Sequence, residues 1–192
     1  MTKQGYKNTE IGEIPEEWEV VKIKEFGEVI TGMTPRTAVK EYWNGTIPFV
    51  TPTDINQKKY VDKTERRVTD KGLRESRLVS KDAVLVTCIA SIGKIAMAFA
   101  DCVTNQQINA IICKSKANPH YVYYAIAFRT DILKTWAGQS QKPIVKKSLF
   151  EDFLLPLPPL PEQRKIAEIL FTADEAIQKA DEIIQKTQEL KK

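Results

Sequence analysis

Histidine is almost missing from this chain of 192 residues: His120 is the only one. That excludes metal clusters built from several imidazoles and makes any Ser-His-Asp arrangement depend on a single ring. Cysteine is scarce as well. Cys88, Cys102 and Cys113 are an odd number and form no CxxC pair, which argues against a disulfide framework. Cys88 falls inside an apolar run, where a free thiol behaves as a small hydrophobe, so a reducing, cytoplasmic setting is expected. No apolar stretch approaches the length of a membrane span, and the opening MTKQGYKNTEIGEIPEEW lacks the hydrophobic segment of an export signal. The glycines form neither a Walker-type GxxxxGK loop nor a GxGxxG turn, the usual backbone cradles for phosphates. Asn118-Pro-His-Tyr121 looks superficially like the Asn-Pro-Pro-Tyr tetrapeptide of amino-methyltransferases. Those enzymes also need a glycine-rich loop for the methyl donor, and helix capping explains the residues better: Asn118 as cap, Pro119 at the first helical position. No catalytic residue, metal site or bound cofactor is expected.

What is present is a foldable chain with 42% hydrophobic residues, enough to bury a core. Short β-like runs recur at Trp18–Ile23, Ile47–Val50, Ala83–Cys88, Ile95–Ala100 and Ala110–Cys113. Lys24–Thr31, Thr69–Arg77 and Pro119–Thr135 read as helical. Short strands and helices without a repeating βαβ rhythm predict an α+β domain over residues 1–155. Residues 156–161 hold four prolines, each lacking an N–H and biasing its predecessor toward extended geometry, which predicts a stiff hinge. Beyond it, 162–192 is the clearest helix. Ile166, Leu170, Ala173, Ile177, Ala180, Ile184 and Thr187 follow one another at alternating spacings of four and three, the seam of a coiled coil. An amphipathic helix folded back on its own domain is the other reading of that spacing. The prolines ahead of it favour a projecting helix that needs a partner.

Charge is unevenly divided. The last 32 residues carry 6 basic and 7 acidic side chains, and the rest carry 23 and 18, so a polyanion should meet the body first. Lys58, Lys59, Arg66, Arg67 and Arg74 crowd one stretch, and Lys142 and Lys146 flank a second. A run of cations is often only a solvated surface, but duplex DNA binding needs such contacts. Reading sequence needs donors and acceptors besides, which Thr51, Thr53, Asn105, Gln106, Gln107, Ser140 and Gln141 could supply. No helix-turn-helix or zinc-finger pattern is visible.

Several segments together resemble the specificity subunits of type I restriction-modification systems. Gly5–Trp18 resembles the family's entry segment, Gly45-Thr-Ile-Pro-Phe-Val-Thr-Pro-Thr-Asp-Ile55 its Gly-x-Ile-Pro-aromatic strand, and Ser91–Ala96 and Thr104–Gln107 two further segments. Leu157-Pro-Pro-Leu-Pro-Glu-Gln-Arg-Lys-Ile-Ala167 is similar to the opening of its helical spacer. The resemblance covers nearly the whole chain. It implies a non-catalytic subunit carrying a target-recognition domain and a helix. Its partners would be double-stranded DNA, a methyltransferase subunit holding S-adenosylmethionine, and a restriction subunit. The family normally carries two such domains; here one domain and one helix predict a half-sized form that pairs with itself through Ile166–Thr187 and reads a split inverted repeat. In that arrangement Thr51, Thr53, Ser140, Gln141 and Lys142 would reach bases, Lys58, Lys59, Arg66, Arg67, Arg74 and Lys94 would hold phosphates, and Lys146 would belong to the same DNA-binding surface. A stand-alone dimeric DNA-binding regulator is the competing class, and a purely structural coiled-coil adaptor is the third.

Overall fold

The computed structural model describes residues 4–56, 58–138 and 143–190. The polar N-terminal segment makes a hairpin of β1 (Tyr6–Thr9) and β2 (Gly12–Pro15), followed by β3 (Glu19–Lys22), a single helical turn α1 (Ile23–Phe26) and β4 (Gly27–Thr31). A 3-10 turn at Lys40–Tyr42 leads into β5 (Trp43–Val50), and then come β6 (Tyr60–Val61), β7 (Arg66–Val68), α2 (Asp70–Arg74) and β8 (Leu78–Val79). The central strands are β9 (Val84–Thr87), β10 (Ile95–Ala98), β11 (Cys102–Thr104) and β12 (Ile108–Cys113). Helices α3 (Pro119–Ala127), α4 (Thr130–Trp136) and α5 (Lys147–Glu151) precede β13 (Leu154–Leu157) and the long α6 (Leu160–Leu190). The class is α+β, with a long C-terminal helix.

Two sheets form the body, in the orders β4-β12-β9-β10-β6 and β7-β5-β11-β8. Strand periodicity explains why Val84-Leu-Val86 is apolar without a break: Val84 and Val86 enter one core, Leu85 the other, so both sheet faces are covered. The first core joins the larger sheet to Phe26, Val122, Ile126, Leu133, Phe150 and Phe153. The second includes Val50, Val79, Ala96 and Ile108. Among the described residues no helix is long and apolar enough to cross a membrane.

Three segments differ from the sequence reading. Lys24–Thr31 is a strand from Gly27 onward, because the β-branched Val29, Ile30 and Thr31 pair with β12. A side chain on Gly27 would meet Ile111 Cγ2 at 2.6 Å. The stretch 119–135 is two helices, turned at Phe128–Arg129 so that Ile126 and Leu133 both reach the core. Asn118 caps the first as expected, accepting from the Tyr121 N–H at 3.1 Å.

The expected hinge at 156–161 is the third difference. Leu154–Leu157 pairs antiparallel with β3, and α6 begins already at Leu160, with Pro161 in its first turn. Phe153 O faces β3, accepting from Ile23 N, so alternation turns Leu155 and Leu157 inward and Pro156 and Pro158 outward. Proline tolerates that side because its absent N–H is not needed there. The outward carbonyls are also satisfied: Tyr121 Oη donates to Pro156 O at 2.7 Å and Gln163 Nε2 to Pro158 O at 2.8 Å.

Gln163 is fully buried and ties helix to domain. It also accepts from Asn118 N at 2.7 Å and donates to Lys116 O at 3.1 Å. Beside it Trp18 Nε1 donates to Glu162 Oε2 at 3.0 Å. From Glu168 to Leu190 every residue of α6 is exposed, a rod of roughly 35 Å at about 1.5 Å per residue.

Candidate nucleic-acid interface

Strand direction brings a set of loops to one end of both sheets. Thr31 at the end of β4 lies opposite Asn109, Thr87 at the end of β9 opposite Ile108, and Ile95 at the start of β10 opposite Val86. The parallel strands β5 and β11 end level with each other at Val50 and Thr104. Hydrogen bonds then stitch the loops together. Gly32 N donates to Ile108 O at 3.1 Å, Asn105 N to Val50 O at 3.0 Å, Cys88 N to Gln107 O at 2.7 Å, and Ala90 N to Pro143 O at 3.0 Å. Thr34 Oγ1 donates to Gln106 Oε1 at 2.8 Å, and Lys94 Nζ to Pro52 O at 3.0 Å.

Each loop has its own internal brace. Asp54, only 8% exposed, accepts at Oδ2 from Thr51 N and Thr51 Oγ1, both at 2.7 Å, and at Oδ1 from Glu65 N at 3.0 Å. This carboxylate shapes the Thr51–Asp54 turn and holds it against the residue before Arg66. Thr87, fully buried, donates from Oγ1 to Ser91 O and accepts there from Lys94 N, closing the 88–94 loop. Ala90 in that loop has φ +63°, in the left-handed region that a non-glycine residue seldom adopts. Gly32 sits where a Cβ would lie 2.2 Å from both Asn105 O and Thr104 Oγ1. Gly32→Ala is therefore expected to cost about 1–3 kcal/mol in chemical denaturation and to shift the Gln106 side-chain amide resonances. Unchanged stability would show that the loops are not packed this closely.

The expected DNA-contacting residues divide into groups. Thr51, Thr53 and Lys94 come together at the loop end, with Thr53 and Lys94 exposed. Arg66 stands beside them with its guanidinium 3.6 Å above the Trp43 ring and 5.5 Å from that of Phe49, a stack that orients a cation on an otherwise free arm. Lys146 follows Val145, whose N–H reaches Cys88 O at 2.8 Å, so it too flanks the loops. Ser140, Gln141 and Lys142 lie outside the described residues, but the flanking Gly138 and Pro143 line a cavity with Ser91, Lys94 and Lys134. Arg67 stands apart, donating to Thr46 O at 2.8 Å. Lys58 pairs with Asp62 at 2.9 Å, and Arg74 is exposed on α2.

Lys59 departs most from the phosphate role expected of it. Its ammonium group points inward, among the rings of Tyr123, Tyr124 and Phe171, and burial pushes its pKa down despite the nearby Asp174. Two residues at the loop end were not singled out as base or phosphate contacts from sequence: Thr34, and Arg77, whose Nη1 donates to Thr31 O at 2.9 Å. Arg77 continues the basic stretch that holds Arg66 and Arg74, which was the available signal, and Thr34 had none; Gln106, expected as a donor and acceptor for bases, is held at the loop end by Thr34. The assembled surface offers hydroxyls and amides for base edges and cations for phosphates.

The seam of α6 is open to solvent beyond Ile166, with Leu170, Ile177 and Ile184 at 38%, 61% and 53% exposure. Ala173, Ala180 and Thr187 are exposed as well. Beside the seam runs a second column, Ile169, Ala176, Ile183 and Leu190, spaced by seven and also exposed. Of the residues that touch the domain, Gln163, Ala167, Phe171 and Asp174 lie on another stripe, while Ile166 at the head of the seam packs half-buried against the first core.

A family model described as the type I restriction modification DNA specificity domain matches residues 15–189. The chain is 39% identical over 179 residues to the specificity subunit of the type I restriction enzyme MjaIX of Methanocaldococcus jannaschii, covering 90% of this chain and 41% of that one. It is 31% identical over 164 residues to the EcoR124I/EcoR124II specificity subunit of Escherichia coli, covering 80% and 40%. Among solved structures, the HsdS subunit of Thermoanaerobacter tengcongensis superposes with a TM-score of 0.72 at 17% identity, over 91% of this chain and 41% of that one, a likeness of fold. The chain spans about two fifths of the length of these relatives.

Proposed function

Because the chain belongs to the family of type I restriction-modification DNA specificity domains, we propose that it reads double-stranded DNA by sequence as the non-catalytic specificity component of such a complex, in the cytoplasm. The observation that carries this reading is the gathering of Thr51, Thr53, Lys94, Gln106 and Arg66 at one end of the two sheets. The α6 anchor lies at the other end. Gln163 bonds Lys116 and Asn118, just past the far end of β12, so the loops are free to meet a groove while the helix is engaged elsewhere.

Two copies of the chain would associate antiparallel through Ile166, Leu170, Ala173, Ile177, Ala180, Ile184 and Thr187. Twofold symmetry would then require a split inverted repeat in the DNA. The second apolar column on α6 makes its face wider than a two-helix seam needs. That surplus supports docking of a methyltransferase subunit, which would hold S-adenosylmethionine, and of a restriction subunit beside it.

Selection from a randomised duplex pool, with and without the methyltransferase partner, tests the reading. Enrichment of a split inverted repeat, sharpened by the partner, is the expected result; enrichment unaffected by any partner would favour a stand-alone regulator. No enrichment in either case would overturn the DNA-reading role. On selected DNA, Arg66→Ala should weaken binding to all sequences alike and lower the salt slope by about one. Gln106→Ala should instead relax preference at one position. Competition binding at two salt concentrations separates the two, and identical behaviour of the variants would show the footprint to be misassigned.

A further inference from the structure

The long helix touches the domain at two levels. The lower anchor is Gln163 with Glu162 and Ala167. The upper one is made by Lys59, which comes from the segment just before β6. Lys59 Nζ lies 4.5 Å from the ring centre of Tyr124, 4.7 Å from that of Phe171 and 5.5 Å from that of Tyr123. It donates to Tyr124 Oη at 3.2 Å, and Tyr124 Oη donates onward to Asp174 Oδ2 at 2.6 Å. Sheet edge, α3 and α6 are thereby joined through one ammonium group. Between the two anchors is a cavity of about 370 Å³ lined by Tyr60, Asn118, His120, Arg164, Glu168 and Phe171, among others. The helix is therefore not packed continuously along the domain. It is pinned at its base and clasped again about two turns further on.

We propose that Lys59 is a positioning residue: by clasping Tyr124 and Phe171 it fixes the direction in which α6 leaves the domain, and so the distance between the two DNA half-sites. The proposal rests on the two-copy DNA reading above. Leverage gives it its force. Over a rod of roughly 35 Å, a tilt of about 10° at the base moves the tip by roughly 6 Å. That exceeds the rise of about 3.4 Å per base pair. A helix held only at its base would tolerate several half-site spacings, whereas one held at two levels selects one. The cation suits the task because the rings and the Asp174 link hold it from α3 and α6 together, and its half-burial limits exchange with water.

The test uses the full chain with spin labels at Glu28→Cys, on a strand of the larger sheet, and Lys186→Cys, near the helix tip, diluted with unlabelled chain. Burial pushes the native thiols of Cys88, Cys102 and Cys113 up to about 12, which leaves them poorly reactive toward the label. Lys59→Met and Tyr124→Phe should each broaden the label-to-label distance distribution about twofold, and Lys59→Arg, which keeps a cation over the rings, should leave it narrow. In the duplex selection, Lys59→Met should enrich the same half-site bases as the unaltered chain but spread over neighbouring spacer lengths. A narrow distribution in both loosening variants overturns the proposal, as does a broadened one with a single spacer. Altered half-site bases in Lys59→Met would make Lys59 a DNA contact and overturn it too. If the unaltered chain selects no split site, the two-copy reading fails, and the label distances alone decide whether Lys59 sets the helix direction.

Discussion

Gln163→Ala is expected to lower the melting temperature by roughly 6–12 °C, a large loss for a single uncharged polar side chain. Gln163, itself fully buried, uses its amide at both ends, accepting from Asn118 N and donating to Lys116 O and Pro158 O. Alanine leaves one donor and two acceptors without partners. A stranded buried group costs on the order of 1–3 kcal/mol; neighbouring losses do not add fully, so about 3 kcal/mol is expected in total. Gln163→Glu sharpens the test. It keeps the acceptor toward Asn118 but aims a carboxylate at two carbonyls, which raises its pKa in the folded state above the unfolded value. The variant's stability is then present below the unfolded pKa and lost as pH rises through the folded one. It should therefore gain on the parent chain when acidified from pH 8 to pH 5. A fall of less than about 2 °C for the alanine variant, followed by circular dichroism, would mean that the junction is held chiefly by Ala167 and the Trp18–Glu162 bond.

Ile177→Asp should abolish self-association at micromolar concentration and, with it, selection of a split site. Ile177 lies mid-seam and is 61% exposed in the isolated chain, so the substitution costs the folded domain little. In a two-copy seam it sets an aspartate from each helix against apolar side chains, and a buried charge without a partner is costly. A dissociation constant weakened about 1,000-fold, near 4 kcal/mol, is expected. Ile177→Leu should keep the association within about tenfold, since it preserves volume and apolarity. Sedimentation velocity reads both. A parent chain that is monomeric at micromolar concentration, with Ile177→Asp indistinguishable from it, would refute the self-association.

What the sequence made legible was local. The helical run of α6, the Asn118 cap and the apolar strands announce themselves through spacing and neighbouring residues, and each appears in the fold. What it hid was non-local. Lys24–Thr31 has enough helix-forming character to pass for a helix until β12 is seen to claim Val29–Thr31. The prolines at 156–161 look like a connector because nothing nearby reveals that β3, more than a hundred residues earlier, will pair with Leu154–Leu157 and take in the first of them. Lys59 belongs by composition to a basic cluster, and only the fold brings Tyr124 and Phe171 around it. Asp54 passes for one more loop carboxylate until Glu65 arrives from across the turn. Of the surface proposed to read DNA, the loop after Val50 was visible in advance, whereas Thr34 and Arg77 join it through side-chain bonds to Gln106 and Thr31.

The pairing of β13 with β3 has a consequence for solubility. Any complex that holds two copies side by side raises the local concentration of every strand edge, and a bare edge is a template for runaway sheet growth. On its outward side β13 presents Pro156, with no N–H to offer and a carbonyl already engaged by Tyr121, and Pro158 beyond it repeats the pattern with Gln163. At these two positions a foreign strand would find no donor and both carbonyls already taken. The segment that carries the chain into its long helix is thus also a seal against strand addition.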